Sequence, residues 1–329
     1  MTNDTITEIE GLRVGHADLE GVPSGCTVIL PDEGVRAGVD VRGGAPGTFG
    51  TETLHPLNLV GKVDGLFFSG GSAFGLSAAT GVQNFLKERG TGFDSGHGLV
   101  PIVAGAIIFD LGINSTGILP DAESAHAACR NASPAPVVEG NIGAGRGATI
   151  GKLFGFDRCM KGGIGSSCVH GAGGIKVGAL MVVNSFGDVI DPDTGRKIAG
   201  ARKDPHSREL AETVPELLRM TSFRGFPGGE STIIGAIATN AILNKVQLTK
   251  IARMAHDGLA RTVFPVHTQY DGDTIFALSC GNIEGAETSL IGALAVLAAS
   301  EAILRAVRKA QGLEGVPAYS DIQTGRASI

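Results

Sequence analysis

Residues 231–241 read STIIGAIATNA, and this stretch decides which fold the chain can adopt. Residues 232–239 form an apolar run rich in β-branched side chains, which is typical of a central strand covered on both faces. The preceding residues 201–230 are charged and contain three prolines and a Gly-Gly pair, which indicates a surface linker with one helical piece. A polar linker therefore leads directly into a core strand.

The rest of the chain alternates short apolar runs with helical patterns, which indicates an α/β protein. The pattern predicts strands at 26–30, 35–41, 65–68, 176–183 and 274–279, helices at 72–89, 245–261 and 285–309, and a hairpin around 271–273. Neither an internal repeat nor a boundary divides the core, so residues 1–329 are interpreted as a single domain.

Composition limits the class of protein. The 329 residues are 43% hydrophobic and 18% charged, as expected of a globular chain with a sizeable core. A net charge of -6 without a Lys/Arg cluster gives no reason to expect a nucleic-acid partner. Residues 1–10 lack the basic and apolar regions of a signal peptide, and the longest apolar stretch, 291–304, contains Ser300 and Glu301. We therefore expect a cytoplasmic protein with no membrane partner.

Several common catalytic motifs are absent. There is no G-x-S-x-G, and Lys152 follows Gly151 without the flanking residues of a P-loop. The eight histidines show no metal-ligand spacing, so neither a metal nor another cofactor is expected. The five cysteines include no C-x-x-C pair, and their odd number argues against a disulfide framework.

Longer motifs carry a resemblance that covers nearly the whole chain. They are GLRVGHA (11–17), GGAPGT (43–48), GGSAFGLSAATGV (70–82), VPIVAGAIIFDLG (100–112), GRGATIGK (145–152), VGALMVVNSFGDVID (177–191), TIIGAIATNA (232–241) and MAHDGLARTVFPVHTQYDGDTIFAL (254–278). Together they resemble the L-aminopeptidase/D-esterase (DmpA-like) family of self-processing N-terminal nucleophile hydrolases. That family includes β-peptidyl aminopeptidases and nylon-oligomer endo-hydrolases.

The resemblance implies a four-layer α/β/β/α sandwich of the DmpA/ornithine-acetyltransferase type, made as a precursor. It places the nucleophile at Thr232 and the cut between Ser231 and Thr232, giving a large subunit of residues 1–231 and a small subunit of residues 232–329. The freed α-amino group, with a pKa of roughly 7.7–8.0, would act as the base. From the residues alone, a β-branched strand start is the better interpretation of Thr232, and the resemblance reverses this; Ser231 is a rival nucleophile one position away.

Four further catalytic residues follow from the resemblance. Lys152 is expected near the nucleophile, Asn184 is expected to donate its amide to the oxyanion, and Asp271 and Asp273 are expected to hold the threonine amine. From the residues alone, Lys152 also fits a solvated side chain and Asn184 a strand-ending turn. The Asp-Gly-Asp sequence also fits a plain hairpin turn.

Substrate binding is assigned to Phe109, which stands where some family members carry a tyrosine whose hydroxyl contributes to the site. His256 and His267 lie in family-like stretches, and both are interpreted as structural histidines.

The expected reaction is hydrolysis of a small peptide or amide through an acyl-enzyme, by an aminopeptidase or an endo-amidase without a cofactor. The alternatives are an acyltransferase like the ornithine acetyltransferases and an uncut, non-catalytic scaffold of the same fold. The family's assembly predicts a homotetramer of processed units.

Overall fold

The computed structural model describes residues 3–222 and 231–323, in which strands and helices alternate along the chain. The strands are β1 Leu12–Asp18, β2 Gly25–Pro31, β3 Arg36–Val41, β4 Thr48–Phe49, β5 Gly65–Ser69, β6 Phe93–Asp94, β7 Leu99–Val100, β8 Val103–Ile107, β9 Thr149–Ile150, β10 Met160–Lys161, β11 Gly163–His170, β12 Lys176–Asn184, β13 Asp188–Ile190, β14 Lys197–Ala199, β15 Thr232–Ala241, β16 Val263–Phe264 and β17 Thr274–Ile283. The α-helices are α1 Ala78–Glu88, α2 Ala122–Arg130, α3 Thr213–Leu217, α4 Lys245–Thr262, α5 Thr288–Lys309 and α6 Tyr319–Gln323.

The first of two five-stranded sheets has the strand order β1-β2-β5-β8-β4. Strands β5 and β8 run parallel, and the other neighbours in this sheet are antiparallel. One face packs against α1 and α2, where Val28 and Phe67 of the sheet meet Val82 and Ala125 of the helices in one apolar cluster. The first sheet is therefore covered by a helical layer on its outer side.

The second five-stranded sheet has the order β11-β12-β15-β17-β3 and contains the strand predicted from STIIGAIATNA. Ile233 and Ile237 of β15 pack against the layer of α4 and α5, whereas Ile234 and Ala236 face the first sheet. Because side chains alternate along a strand, an apolar run of this kind can fill both layers at once.

Apolar side chains fill the space between the two sheets. The rings of Phe68 on β5 and Phe276 on β17 lie 6.1 Å apart, centroid to centroid, within a cluster that draws on both inner faces. The layers therefore follow the order helix, sheet, sheet, helix, and the predicted four-layer α/β/β/α sandwich is confirmed.

Most predicted elements occur within three residues of their predicted bounds. The helix predicted at 72–89 begins instead as a 3-10 helix, Ser72–Ser77, before α1. The helical piece predicted in the linker 201–230 corresponds to α3. Residues 223–230 of the linker lie outside the described residues. The helix predicted to begin at residue 285 begins at Thr288, because the Glu287 side chain accepts from the Ser289 amide and caps it there.

The predicted hairpin at residues 271–273 is wrong. The strand that follows, β17, pairs in parallel with β15 and antiparallel with β3, and Asp271 forms a parallel bridge with Ser231. The Asp-Gly-Asp sequence therefore leads into a central strand instead of turning between two adjacent strands.

Helix α5 is the one helix of the described residues that is long and apolar enough to span a membrane by length and composition alone. Here it packs on β11 and β12 and beside α4, with Ala295, Ala299 and Ile303 in the apolar cluster of that layer. Its apolar character is thus explained by its place in the core.

Substitution of Gly165 on β11 is expected to destabilise the protein, because a Cβ there would lie 2.1 Å from the Ala302 carbonyl oxygen of α5. We expect Gly165→Ala to lower the free energy of unfolding by about 1–3 kcal/mol, since helix and strand must move apart. Urea unfolding of the variant and of the parent protein would measure this loss. Gly61→Ala, where no atom lies within 4 Å, is the matched control and should change stability by less than about 0.5 kcal/mol.

Candidate active site

Thr232 and Asn184 are neighbours at one end of the second sheet. Thr232 is the first residue of β15, Asn184 is the last residue of β12, and the two form a cross-strand pair. The side chain of Thr232 lies on the same face of β15 as that of Ile234, and the side chain of Asn184 lies on the same face of β12 as that of Val182. Because Ile234 and Val182 lie between the two sheets, Thr232 and Asn184 also face that space. Thr232 is 2% exposed and Asn184 0% exposed, so the pair lies in a buried polar site at the edge of an apolar layer.

The peptide group before Thr232 is held by two donors. Thr232 Oγ1 donates to the carbonyl oxygen of Ser231 at 2.5 Å, and the backbone N–H of Gly272 donates to the same oxygen at 2.9 Å. The Ser231 N–H donates in turn to the carbonyl of Tyr270 at 3.3 Å. The hydroxyl therefore lies beside the carbonyl group of its own peptide bond, and a backbone amide points at the oxygen that would become negative during attack.

Asp273 is fully buried and fixes the residue after Thr232. Its Oδ1 accepts from the backbone N–H of Ile233 at 2.7 Å. Its Oδ2 accepts from Nδ1 of His267 at 2.7 Å and from the backbone N–H of the same histidine at 3.1 Å. Three donors thus compensate for burying this carboxylate.

Asp271 lies on the other side of the Gly272 amide. Its Oδ2 accepts from the N–H of Thr268 at 2.8 Å and from the hydroxyl of the same residue at 2.6 Å. Burial, reinforced by the neighbouring charge of Asp273, raises the pKa of Asp271 to about 6. Two buried carboxylates therefore flank the amide that touches the Ser231 carbonyl.

Lys152 is fully buried and joins Asn184 to Ser231. Its Nζ donates to Oδ1 of Asn184 at 2.8 Å, to the carbonyl of the same residue at 3.0 Å and to Oγ of Ser231 at 3.5 Å. The Asn184 side chain thus accepts at Oδ1, while its Nδ2 donates to the carbonyl of Phe109 at 3.0 Å. Because an amide nitrogen carries two hydrogens, Nδ2 retains a second one that can be donated to a substrate oxygen.

A second buried lysine, Lys161, binds the chain segment that contacts the Asn184 side chain. Nζ of Lys161 donates to the carbonyls of Arg146 and Ala148, at 2.8 and 2.7 Å, immediately before β9. The next residue, Thr149, donates its N–H to Oδ1 of Asn184 at 2.9 Å. Burial lowers the pKa of Lys161 to about 7. Lys161 therefore fixes the backbone that orients the Asn184 amide.

All five residues predicted to be catalytic lie in one connected network around the Ser231–Thr232 peptide. Phe109, which is half-buried, joins it through its backbone carbonyl. The chemical roles of these residues stay predictions. Within the described residues, no group of three or more His, Cys, Asp or Glu side chains is arranged to hold a metal ion.

Sequence reasoning missed three participants. His267, which the sequence suggested was structural, contacts Asp273, and the Gly272 amide touches the Ser231 carbonyl. Lys161 carried no recognisable motif. The sequence Asp271-Gly272-Asp273 was the one signal that could have pointed to Gly272, but the same three residues are also typical of a hairpin turn.

Comparison with known proteins places this site in a family. The family model of peptidase family S58 matches residues 4–319. The chain belongs to that family. An uncharacterized aminopeptidase of Mycobacterium tuberculosis is 40% identical over 98% of this chain and 98% of its own length. A 6-aminohexanoate-oligomer endohydrolase of Kocuria sp. is 31% identical over 84% of this chain and 75% of its own length.

A solved structure confirms the fold of this S58 peptidase. The L-aminopeptidase D-Ala-esterase/amidase from Ochrobactrum anthropi, described as a variant of the Ntn hydrolase fold, has a TM-score of 0.71 and 22% identity. The match covers 99% of this chain and 95% of that one. The predicted family and the predicted class of reaction are confirmed: this S58 peptidase is a hydrolase that acts on amide bonds.

The raised pKa of Asp271 predicts a specific dependence of stability on pH. The pKa of Asp271 is about 6 in the folded chain against 3.8 for an isolated carboxyl, so between these values the folded state binds the proton more tightly. This contribution to stability is complete below about pH 4 and is lost as the pH rises through 6. The stability of the parent protein relative to its Asp271→Asn variant should therefore fall over this range. Urea unfolding at several pH values measures the difference, and a pH-independent difference would contradict the assignment.

Proposed function

We propose that this S58 peptidase is made as a precursor that cuts itself between Ser231 and Thr232, and that Thr232 then hydrolyses amide bonds as an N-terminal nucleophile. The observation that carries the proposal is the hydrogen bond from the Thr232 hydroxyl to the Ser231 carbonyl oxygen, together with the Gly272 N–H on that oxygen. A nucleophile beside its target carbonyl group, with a donor on the oxygen that becomes negative, supports an acyl transfer at this peptide bond.

Self-cleavage would proceed through an ester. Oγ1 of Thr232 forms a bond to the carbonyl carbon of Ser231, and the negative charge that develops on the oxygen is stabilised by the Gly272 N–H. The carbon–nitrogen bond then breaks, and the hydroxyl proton passes to the departing nitrogen. Water hydrolyses the ester, which releases the carboxylate of Ser231 and leaves Thr232 with a free α-amine.

In the mature enzyme this amine, with a pKa of roughly 7.7–8.0, removes the proton from the Thr232 hydroxyl as it attacks a substrate carbonyl. The second Nδ2 hydrogen of Asn184 donates to the oxyanion, a contribution of about 2.7–4 kcal/mol in comparable sites. The positive charge of Lys152, held against Asn184, favours the neutral amine. Asp273 holds the next peptide through Ile233, so the amine and hydroxyl keep a common orientation.

The substrate class is the finer part of the proposal. We propose an aminopeptidase that acts on short peptides or amides with a free amino terminus, because the relative that matches over nearly its whole length is named an aminopeptidase. The endohydrolase relative, with lower identity and coverage, supports endo-acting cleavage less strongly.

Other features of the proposal extend beyond the site. The division into subunits of residues 1–231 and 232–329, the homotetramer of processed units and the cytoplasmic location stay predictions. Leu57 and Leu59, which are 88% and 90% exposed, support self-association because exposed apolar side chains favour burial in an interface.

Processing can be tested by substitution at the junction. Wild-type protein should give fragments of roughly 23 and 10 kDa on denaturing electrophoresis, and mass analysis should find a new terminus at Thr232. Thr232→Ala should abolish both cutting and hydrolysis, whereas Thr232→Ser, which keeps a hydroxyl, should retain both. Ser231→Ala should be cut and active. If Thr232→Ala were active and Ser231→Ala inactive, the nucleophile would be Ser231 and not Thr232. A wild-type chain that is active but intact would overturn self-processing.

Substrate preference can be tested with one pair of compounds. An amino acid p-nitroanilide should be hydrolysed at least ten times faster, as kcat/KM, than its N-acetyl derivative, because only the former has a free amine. Equal rates on the two compounds would favour an endo-amidase. Thr232→Ala is the background control for both substrates.

A further inference from the structure

Two histidine rings in edge-to-face contact lie next to Asp273. The His267 ring packs edge-on against His256 of α4, with centroids 4.8 Å apart, and Nε2 of His256 lies 3.1 Å from the carbonyl of Asp40 on β3. His256 is fully buried, and the side chain of His267 is 18% exposed. This pair of histidines connects β3 of the second sheet to Asp273, the carboxylate that binds the first peptide of β15.

The contacts of Asp273 show what His267 can control. One carboxylate oxygen receives the Ile233 N–H, and the other receives both donors of His267. Because a carboxylate is planar, fixing Oδ2 also fixes Oδ1 and hence the peptide that follows Thr232. Nδ1 of His267 carries the proton in this contact, since an ionised carboxylate can only accept.

We propose that His267 is a positioning residue for the Thr232 nucleophile: its imidazole Nδ1–H orients Asp273, and through the Ile233 amide this sets the direction of the hydroxyl and of the amine. The inference rests on the proposed function of Thr232. The N–H and Nδ1 of His267 both bind Asp273, so its effect on Thr232 passes through that carboxylate.

The backbone of His267 supports the same assignment. His267 has a φ of 57°, in the left-handed region, which histidine and asparagine tolerate better than most other residues. This conformation lets the backbone N–H and Nδ1 of one residue both reach the same oxygen of Asp273. A strained conformation is therefore coupled to a double contact with a residue at the reaction centre.

Two substitutions separate the side-chain donor from the backbone. His267→Gly and His267→Asn both tolerate a positive φ, but only asparagine places an amide N–H near the position of Nδ1. We expect His267→Gly to lower kcat roughly ten- to a hundredfold with little change in KM, and to slow self-cleavage. His267→Asn should recover most of kcat and most of the rate of self-cleavage.

A matched control is available on the other sheet. His16 on β1 is half-buried like His267, with Nδ1 2.9 Å from Oγ1 of Thr27, and His16→Asn can keep that hydrogen bond. This variant should leave kcat and KM unchanged. Hydrolysis is compared only among samples whose processing is complete by mass analysis.

The outcomes distinguish the two proposals. An active wild type whose Gly and Asn variants share the same kcat would overturn the positioning role alone, whereas a wild type that neither cuts nor hydrolyses would overturn the proposed function. Nitrogen-15 NMR of the wild-type imidazole gives a reading that does not need activity. A proton on Nδ1 whose resonance shifts in Asp273→Asn supports the contact, and a proton on Nε2 alone overturns it.

Discussion

The rest of the structure depends on the register between β12 and β15. This ladder places Thr232 opposite Asn184 and puts both side chains on the face between the sheets. A slip of one residue would turn the hydroxyl toward the helical layer and bring Ile233 to the polar site. The register is held by apolar side chains on both faces of the strand, so the large hydrophobic core and the geometry of a few polar atoms are determined by the same pairing.

The polar site illustrates how ionisable groups can be kept in such a core. Lys152 and Asp273 are both fully buried, and each reaches several polar atoms, so the cost of removing them from water is offset locally. Asp271 is also buried, and this burial, together with the neighbouring charge of Asp273, raises its pKa.

Features that depend on neighbouring residues could be predicted from the sequence, whereas features that depend on contacts between distant segments could not. Strands such as β12 and β15 were predicted within two residues, because burial on both faces leaves an uninterrupted apolar run. The aspartates were assigned to the site by resemblance, but the local Asp-Gly signal suggested a hairpin, whereas β17 pairs with strands distant in sequence. His267 and Lys161 could not be identified, since their contacts depend on segments brought together only by the fold.

The strand order of the second sheet has a consequence for a chain opened at residue 232. Strands β15 and β17, which follow the junction, are inserted between β12 and β3, which precede it. The two pieces of a nicked molecule would interleave within one hydrogen-bonded sheet, and they could separate only by tearing its centre apart. Holding the pieces together therefore requires neither a covalent link nor a dedicated interface, and dissociation would amount to unfolding.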